Sequence, residues 1–310
     1  MATIFDEFSQ EATAFINPSD CVRPLPGFPE ICITTFSQNI ITEFVTNHNA
    51  QVIAELCTAN GMLPVYEVRY QNLSIGLFLS RVGAPACVAG LEEVIALGAK
   101  SIIQFGSCGV LNQSAAGNKM IIPTSAIRDE GTSYHYIEKS EEITAETTSV
   151  NIARHCFEKH RIPYVLGKVW TTDGIYRETP DLIKQRKEQG CLAVDMECSA
   201  SLAVAKFRNI PIIQFLFGAD NLDAAAWEPR DIADYGFREA NRYILMGLEM
   251  AADLVAIAFG VVGIYVSLSV LAGRRRDKED VSYNLLWGQL ALTIFLVACA
   301  VLAIRQRMGL

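Results

Sequence analysis

The sequence predicts an α/β fold in three layers, followed by an apolar C-terminal helical hairpin. Three observations carry that prediction. Strand-like and helix-like segments alternate from residue 31 to 253, the order expected when helices cover both faces of a sheet. The run 211–218 (PIIQFLFG) is almost wholly apolar, as a central strand covered on both faces should be. Finally, 254–272 and 285–304 are 19 and 20 residues without a charge, each long enough for a hydrocarbon core of about 30 Å. With 51% hydrophobic and 19% charged side chains, the 310 residues are too apolar for disorder. The chain therefore divides into a body, 1–253, and a tail, 254–310.

Taken in order, residues 1–28 form an irregular lead-in with Pro18, Pro24 and Pro26 close together. A strand is predicted at 31–36 (ICITTF). The spacing of Ile40, Phe44, Val45, Val52, Ile53 and Leu56 predicts a helix across 38–60. Strands follow at 65–68 and 74–82, with Asn72 at the turn between them. A helix over 86–97 is entered through Pro85, whose missing N–H costs nothing in a first turn, and Gly98 ends it. Strands are expected at 101–105, 120–123 and 164–170, and a helix at 147–160. Thr179-Pro180 has the form of an N-cap with proline at the first helical position. A short strand, 193–196, enters a helix over 197–208, and 235–253 is the closing helix. There is no internal repeat and no low-complexity linker.

Charge and cysteine usage exclude several classes of function. Lys and Arg number 26 against 34 Asp and Glu. The first 250 residues carry 20 basic and 30 acidic side chains, the last 60 only 6 and 4. A body this acidic repels a polyanionic backbone, so no nucleic-acid partner is expected; a small anion in a locally positive pocket remains open. The nine cysteines include no Cys-x-x-Cys pair, and their odd number fits reduced thiols in a cytoplasmic body. Four histidines without a His-x-x-x-His pattern beside an acid predict no metal site. Residues 1–20 lack a basic segment followed by an apolar run, so no secretory signal is expected. The two apolar runs predict membrane association of the tail. Arg274, Arg275, Arg276 and Lys278 between them favour the cytoplasmic side. In a two-span hairpin that preference opposes the body's, and the body is assigned to the cytoplasm.

Candidate chemistry lies where predicted strands end. Gly83-Ala84-Pro85 and Gly106-Ser107-Cys108-Gly109 offer small residues for tight turns, whose exposed N–H groups can hold an anion. Arg81 could add a bidentate contact or simply lie on the surface. Asp195-Met196-Glu197 places carboxylates at a strand-to-helix boundary, suited to accepting hydrogen bonds from sugar hydroxyls or, for Asp195, to capping the helix. Met196 could pack on the apolar face of such a sugar. Asp220 ends the most apolar strand of the body, where desolvation can keep a carboxyl protonated for use as a general acid. No Walker motif or dinucleotide fingerprint is present.

At this point the chain resembles the nucleoside phosphorylase and nucleosidase superfamily, which includes purine nucleoside and uridine phosphorylases. The matching stretches are RVGAPA (81–86), FGSCGVL (105–111), IRDEGTSYHY (127–136), VWTTDGIYRET (169–179), VDMECSA (194–200) and FGAD (217–220), in family order. The resemblance spans roughly 29–255 and leaves out the tail. It implies a single α/β domain with a mixed, barrel-like central sheet, assembled as dimers that usually associate into hexamers. It implies cleavage of a ribosyl N-glycosidic bond, mostly with inorganic phosphate and in some members with water, without a cofactor. Ser107 matches a phosphate contact, Glu197 the residue that grips the ribose 2′ and 3′ hydroxyls, and Met196 its packing neighbour. Asp220 matches the purine-type acid that meets N7 of the leaving base, whereas IRDEGTSYHY looks more like uridine-type members. Trp170 or Tyr176 is a candidate for stacking on the base, and His135 for touching the 5′ hydroxyl across a subunit boundary.

Two departures concern phosphate. The family's early Gly-Asp-Pro-x-Arg loop is absent, the corresponding strand leaving as Thr34-Thr35-Phe36-Ser37. An arginine common before the GSCG stretch is Gln104 here. Phosphate would then rely on Arg81 or Arg177, or else the nucleophile is water. A nucleoside-binding membrane protein without turnover is the reading from another class.

Overall fold

The computed structural model describes residues 4–257, apart from 60, 231, 233–238 and 240. By internal contacts the chain falls into two units, Met1–Met250 and Ala251–Leu310. Of the second, residues 251–257 are described and are helical. The apolar hairpin expected from 254–272 and 285–304 lies outside the described residues from 258 onward. Among the described residues no helix is long and apolar enough to cross a membrane.

The first unit runs α1 (Pro18–Cys21), β1 (Ile31–Thr35), α2 (Gln38–His48), β2 (Gln51–Thr58), β3 (Gly61–Tyr70), β4 (Leu73–Leu79), α3 (Ala84–Leu97) and β5 (Ser101–Val110). It continues with α4 (Gln113–Ala116), β6 (Met120–Asp129), β7 (Glu142–Thr144), α5 (Thr147–Lys159), β8 (Tyr164–Thr172), α6 (Pro180–Glu188), β9 (Cys191–Asp195), α7 (Cys198–Arg208) and β10 (Ile212–Asn221). The strands form one mixed sheet in the order β10-β6-β8-β9-β5-β1-β4-β3-β2, and β10 also pairs with β5. That extra pairing closes five strands into a barrel, from which β1, β4, β3 and β2 extend as an arm. β1, β4, β5 and β10 run parallel, and β10–β6 and β5–β9 are antiparallel.

The wall of the barrel is apolar where it is covered. Phe105 of β5 and Phe215 of β10 stack at 5.1 Å between centroids, and Phe157 of α5 meets Phe215 edge-on at 5.5 Å. A helix over 241–250 brings Tyr243 onto Phe217 at 4.5 Å. α3 and α7 pack against each other, and α2 lies on β4. The three-layer α/β prediction and the barrel-like sheet both hold.

The helix expected across 38–60 stops at His48. Asn49 takes a left-handed conformation (φ 49°) and caps α2, and 51–58 turns back as edge strand β2. A register shift between Val52 and Ala54 explains the misleading pattern. The irregularity breaks the two-residue alternation, leaving Val52 exposed while Leu56 is fully buried. The turn at Asn72 is as expected: Gln71 (φ 48°) and Asn72 (φ 65°) form a tight left-handed connection between β3 and β4.

The second correction bears on function. Gly106-Ser107-Cys108-Gly109 is no turn; it continues β5 to Val110. The glycines are there for close approach. A Cβ on Gly106 would lie 2.7 Å from the Phe36 ring, and one on Gly109 2.5 Å from Leu222.

Candidate active site

The strand ends converge on a cavity of about 260 Å³, lined by the exit of β1, the second half of β5, the end of β9 and the end of β10. A β-bulge between Gly218 and Asp220 makes Asp220 the partner of Gly109. The extra residue re-aims the chain, and Asp220 faces the cavity. Trp227 Nε1 donates to Asp220 Oδ2 at 2.7 Å. Burial holds the Asp220 carboxyl above its ordinary range, against the opposing pull of that hydrogen bond.

Glu197 reaches the cavity from the start of α7. Its carboxylate accepts the Gly83 N–H at 2.5 Å and that of Met196, tying the β4–α3 turn to α7. Gly83 can present its N–H there because φ is 95°, a conformation that glycine adopts freely. Burial, and then the adjacent Asp195 carboxylate, push Glu197 upward. Asp195 is the cap that the sequence allowed for. Its Oδ2 accepts the N–H groups of Glu197 (3.0 Å) and Cys198 (2.6 Å), and its Oδ1 the Thr171 hydroxyl (2.8 Å). Met196 and Ser107, both half-buried, line the same cavity.

Other expected residues are elsewhere. Trp170 is fully buried beneath Arg186 among Leu111, Ile127 and Val194, and its Nε1 donates to Asp129 Oδ2 at 2.9 Å. It is a core residue and offers no face to a base. Tyr176, 94% exposed, stands at a wider cleft adjoining the cavity. His135 is exposed and lines a separate cavity near Tyr136 and Phe207. Arg177 is exposed on a single 3-10 turn and lines neither the cavity nor the cleft.

Arg81 is also turned away. Its Nη2 is buried without a hydrogen-bond partner, near Gly90 of α3, and its charge partly offsets the burial that raises the Glu93 carboxyl. Gln104 points inward: Gln214 Nε2 donates to Gln104 Oε1 (2.9 Å), and Gln104 Nε2 donates to Cys87 Sγ (3.3 Å). No Lys, Arg or His is among the described residues lining the cavity. Nor do three potential metal ligands cluster anywhere among the described residues.

Three contributors escaped the sequence reading. Thr35 and Ser37, at the exit of β1, put hydroxyl-bearing side chains in the cavity wall. Glu178 borders both the cavity and the cleft; burial first, and then the charge of Asp220, raise its carboxyl to about 7. Its only sequence signal was its place in the VWTTDGIYRET match, directly before the Thr179-Pro180 helix start.

Residues 30–242 match the family described as the phosphorylase superfamily. A guanosine phosphorylase of Halorubrum lacusprofundi is 20% identical over 157 residues, 51% of this chain and 65% of that protein. The match thus spans slightly less than two thirds of that relative. A uridine phosphorylase of Treponema pallidum is 27% identical over 197 residues, 60% of this chain and 72% of the other. The crystal structure of a uridine phosphorylase from Vibrio fischeri superposes with a TM-score of 0.62 at 21% identity, covering 74% of this chain and 95% of that one. The likeness to that structure is one of fold.

Proposed function

The chain belongs to the phosphorylase superfamily, and we propose that it cleaves the N-glycosidic bond of a nucleoside, passing the pentose to inorganic phosphate. The observation that carries this reading is the convergence of Ser107, Met196, Glu197 and Asp220 on one cavity from three separate stretches of sequence. The guanosine and uridine phosphorylases among its relatives support nucleosides as the substrate class.

Cleavage builds positive charge on the ribose and negative charge on the departing base. Glu197 would accept the sugar hydroxyls' hydrogen bonds, since a carboxylate has about four acceptor sites and backbone N–H groups occupy only part of them. Asp220, raised by burial, would supply the proton that the leaving base needs. Glu178 stands beside it on the base side, half protonated near neutrality. Ser107, Thr35 and Ser37, which line the same cavity, would receive the phosphate oxygens.

The absence of a cation from the described lining supports a second reading, in which water attacks. An acidic cavity disfavours a phosphate dianion, and neither Arg81 nor Arg177 is placed to offset that. Product identity separates the two. Purified protein with guanosine or uridine should release ribose 1-phosphate with strict dependence on phosphate. Free ribose formed at the same rate without phosphate would replace phosphate by water.

Glu178 also makes a prediction independent of substrate. Its folded-state carboxyl titrates at about 7 against 4.5 for the free group. The folded protein therefore holds this proton more tightly, and stability declines as pH rises from about 4.5 through 7. Glu178→Gln removes the charge, so its melting temperature should gain on that of the parent at pH 8 relative to pH 5. An equal difference at both pH values would place Glu178 in solvent.

A further inference from the structure

Beyond Glu178 and Asp220 the cavity opens into a cleft of about 1290 Å³. Its walls are Ile183 of α6 and, from the segment after β10, Leu222, Trp227 and the three alanines 224–226. Three consecutive methyl side chains leave the cleft wide. Away from Glu178 and Asp220, which stand at its junction with the cavity, the described charged residues cancel: Lys187 is paired with Asp223, and Lys184 and Glu188 stand one turn apart on α6. Such a cleft is suited to a neutral, apolar group and gives no net attraction to an anionic one.

Its position relative to Asp220 says which part of a substrate would enter. In a purine, N7 and the exocyclic group at C6 share one edge. An acid that reaches N7 therefore has the 6-substituent beside it. Trp227, held to Asp220 by its indole N–H and 59% exposed, lies along the path from that acid into the cleft. Its ring offers an amphipathic face to whatever passes.

We infer that the cleft is a subsite for an apolar substituent on the 6-position of a purine nucleoside, so that N6-alkyl and N6-aryl adenosines are substrates. This rests on the glycosidic reading of the cavity above. The occupant follows from continuity with Asp220, from the apolar described walls and from the lack of any net positive charge to hold an anionic group.

The test compares kcat/KM for N6-benzyladenosine and adenosine in the wild type and in Ala225→Trp, which narrows the cleft. The benzyl compound should be cleaved within tenfold of adenosine or better, and the benzyl-to-adenosine ratio should fall at least tenfold in the variant. A wild-type ratio more than tenfold below one, or a ratio unchanged by Ala225→Trp, overturns the subsite. Cleavage of uridine but of no purine nucleoside overturns it while leaving the glycosidic reading intact. Failure to cleave any nucleoside overturns both.

Discussion

Glu197→Gln lowers kcat/KM by about 10²-fold or more and erodes the preference for ribo- over 2′-deoxynucleosides. The carboxylate is buried at the cavity wall and fixed by the Gly83 N–H at 2.5 Å. A glutamine keeps one acceptor oxygen for Gly83, so the link between the β4–α3 turn and α7 survives. What it loses is the second carboxyl oxygen, proposed to accept from the sugar, replaced by an amide nitrogen that only donates. Hydrogen bonds to ribose hydroxyls strengthen as the ring gains positive charge, so the loss falls on the transition state more than on binding. Steady-state kinetics with paired ribo- and deoxyribonucleosides check this. An unchanged ratio between them would remove Glu197 from the sugar site and leave it a tie between two loops.

Strand and helix order was legible because it depends on local pattern. The apolar run of β10, the proline entry to α3, the cap before α6 and the turn at Asn72 each report their own backbone. The region 38–60 failed because a bulge and a left-handed Asn49 depend on pairing with β3, which no spacing of apolar residues discloses. The GSCG stretch failed for a related reason. Glycine there answers to Phe36 and Leu222, distant in sequence, rather than to a turn.

The site divides along the same line. Glu197, Met196 and Asp220 lie at ends of elements, where a sequence position predicts a location at the sheet's rim, while Ser107 reaches the cavity from within β5. Trp170 and Arg81 required knowledge of side-chain direction. Trp170 ends in the core with its N–H on Asp129, and Arg81 turns toward α3. Charge was harder still to foresee. A body rich in carboxylates gathers Glu178, Asp195, Glu197 and Asp220 around one cavity, and only the assembled fold shows that no described cation accompanies them. In the proposed function, phosphate recognition would fall to hydroxyls near the exit of β1 and in the second half of β5 rather than to guanidinium groups. Arg81→Ala should then be read through stability rather than through the KM for phosphate.

Asp220→Asn lowers kcat on natural purine nucleosides by about 10²- to 10⁴-fold, the usual contribution of a positioned general acid. The same change costs a 4-nitrophenyl riboside far less, because nitrophenolate departs without a proton. The local structure should tolerate the substitution, since an asparagine oxygen can still accept the Trp227 indole N–H that orients the side chain. The bulge that aims residue 220 is a backbone feature shared with Gly109 and does not depend on the carboxyl. The asparagine amide can hydrogen-bond the base but cannot release a proton to it. Burial raises the Asp220 carboxyl, which favours the protonated form required for that transfer. Parallel assays of the two substrate types decide the matter. Equal losses on both would mean that Asp220 shapes the cavity with Trp227 and that the leaving base takes its proton elsewhere, Glu178 being a second carboxyl that lines both cavity and cleft.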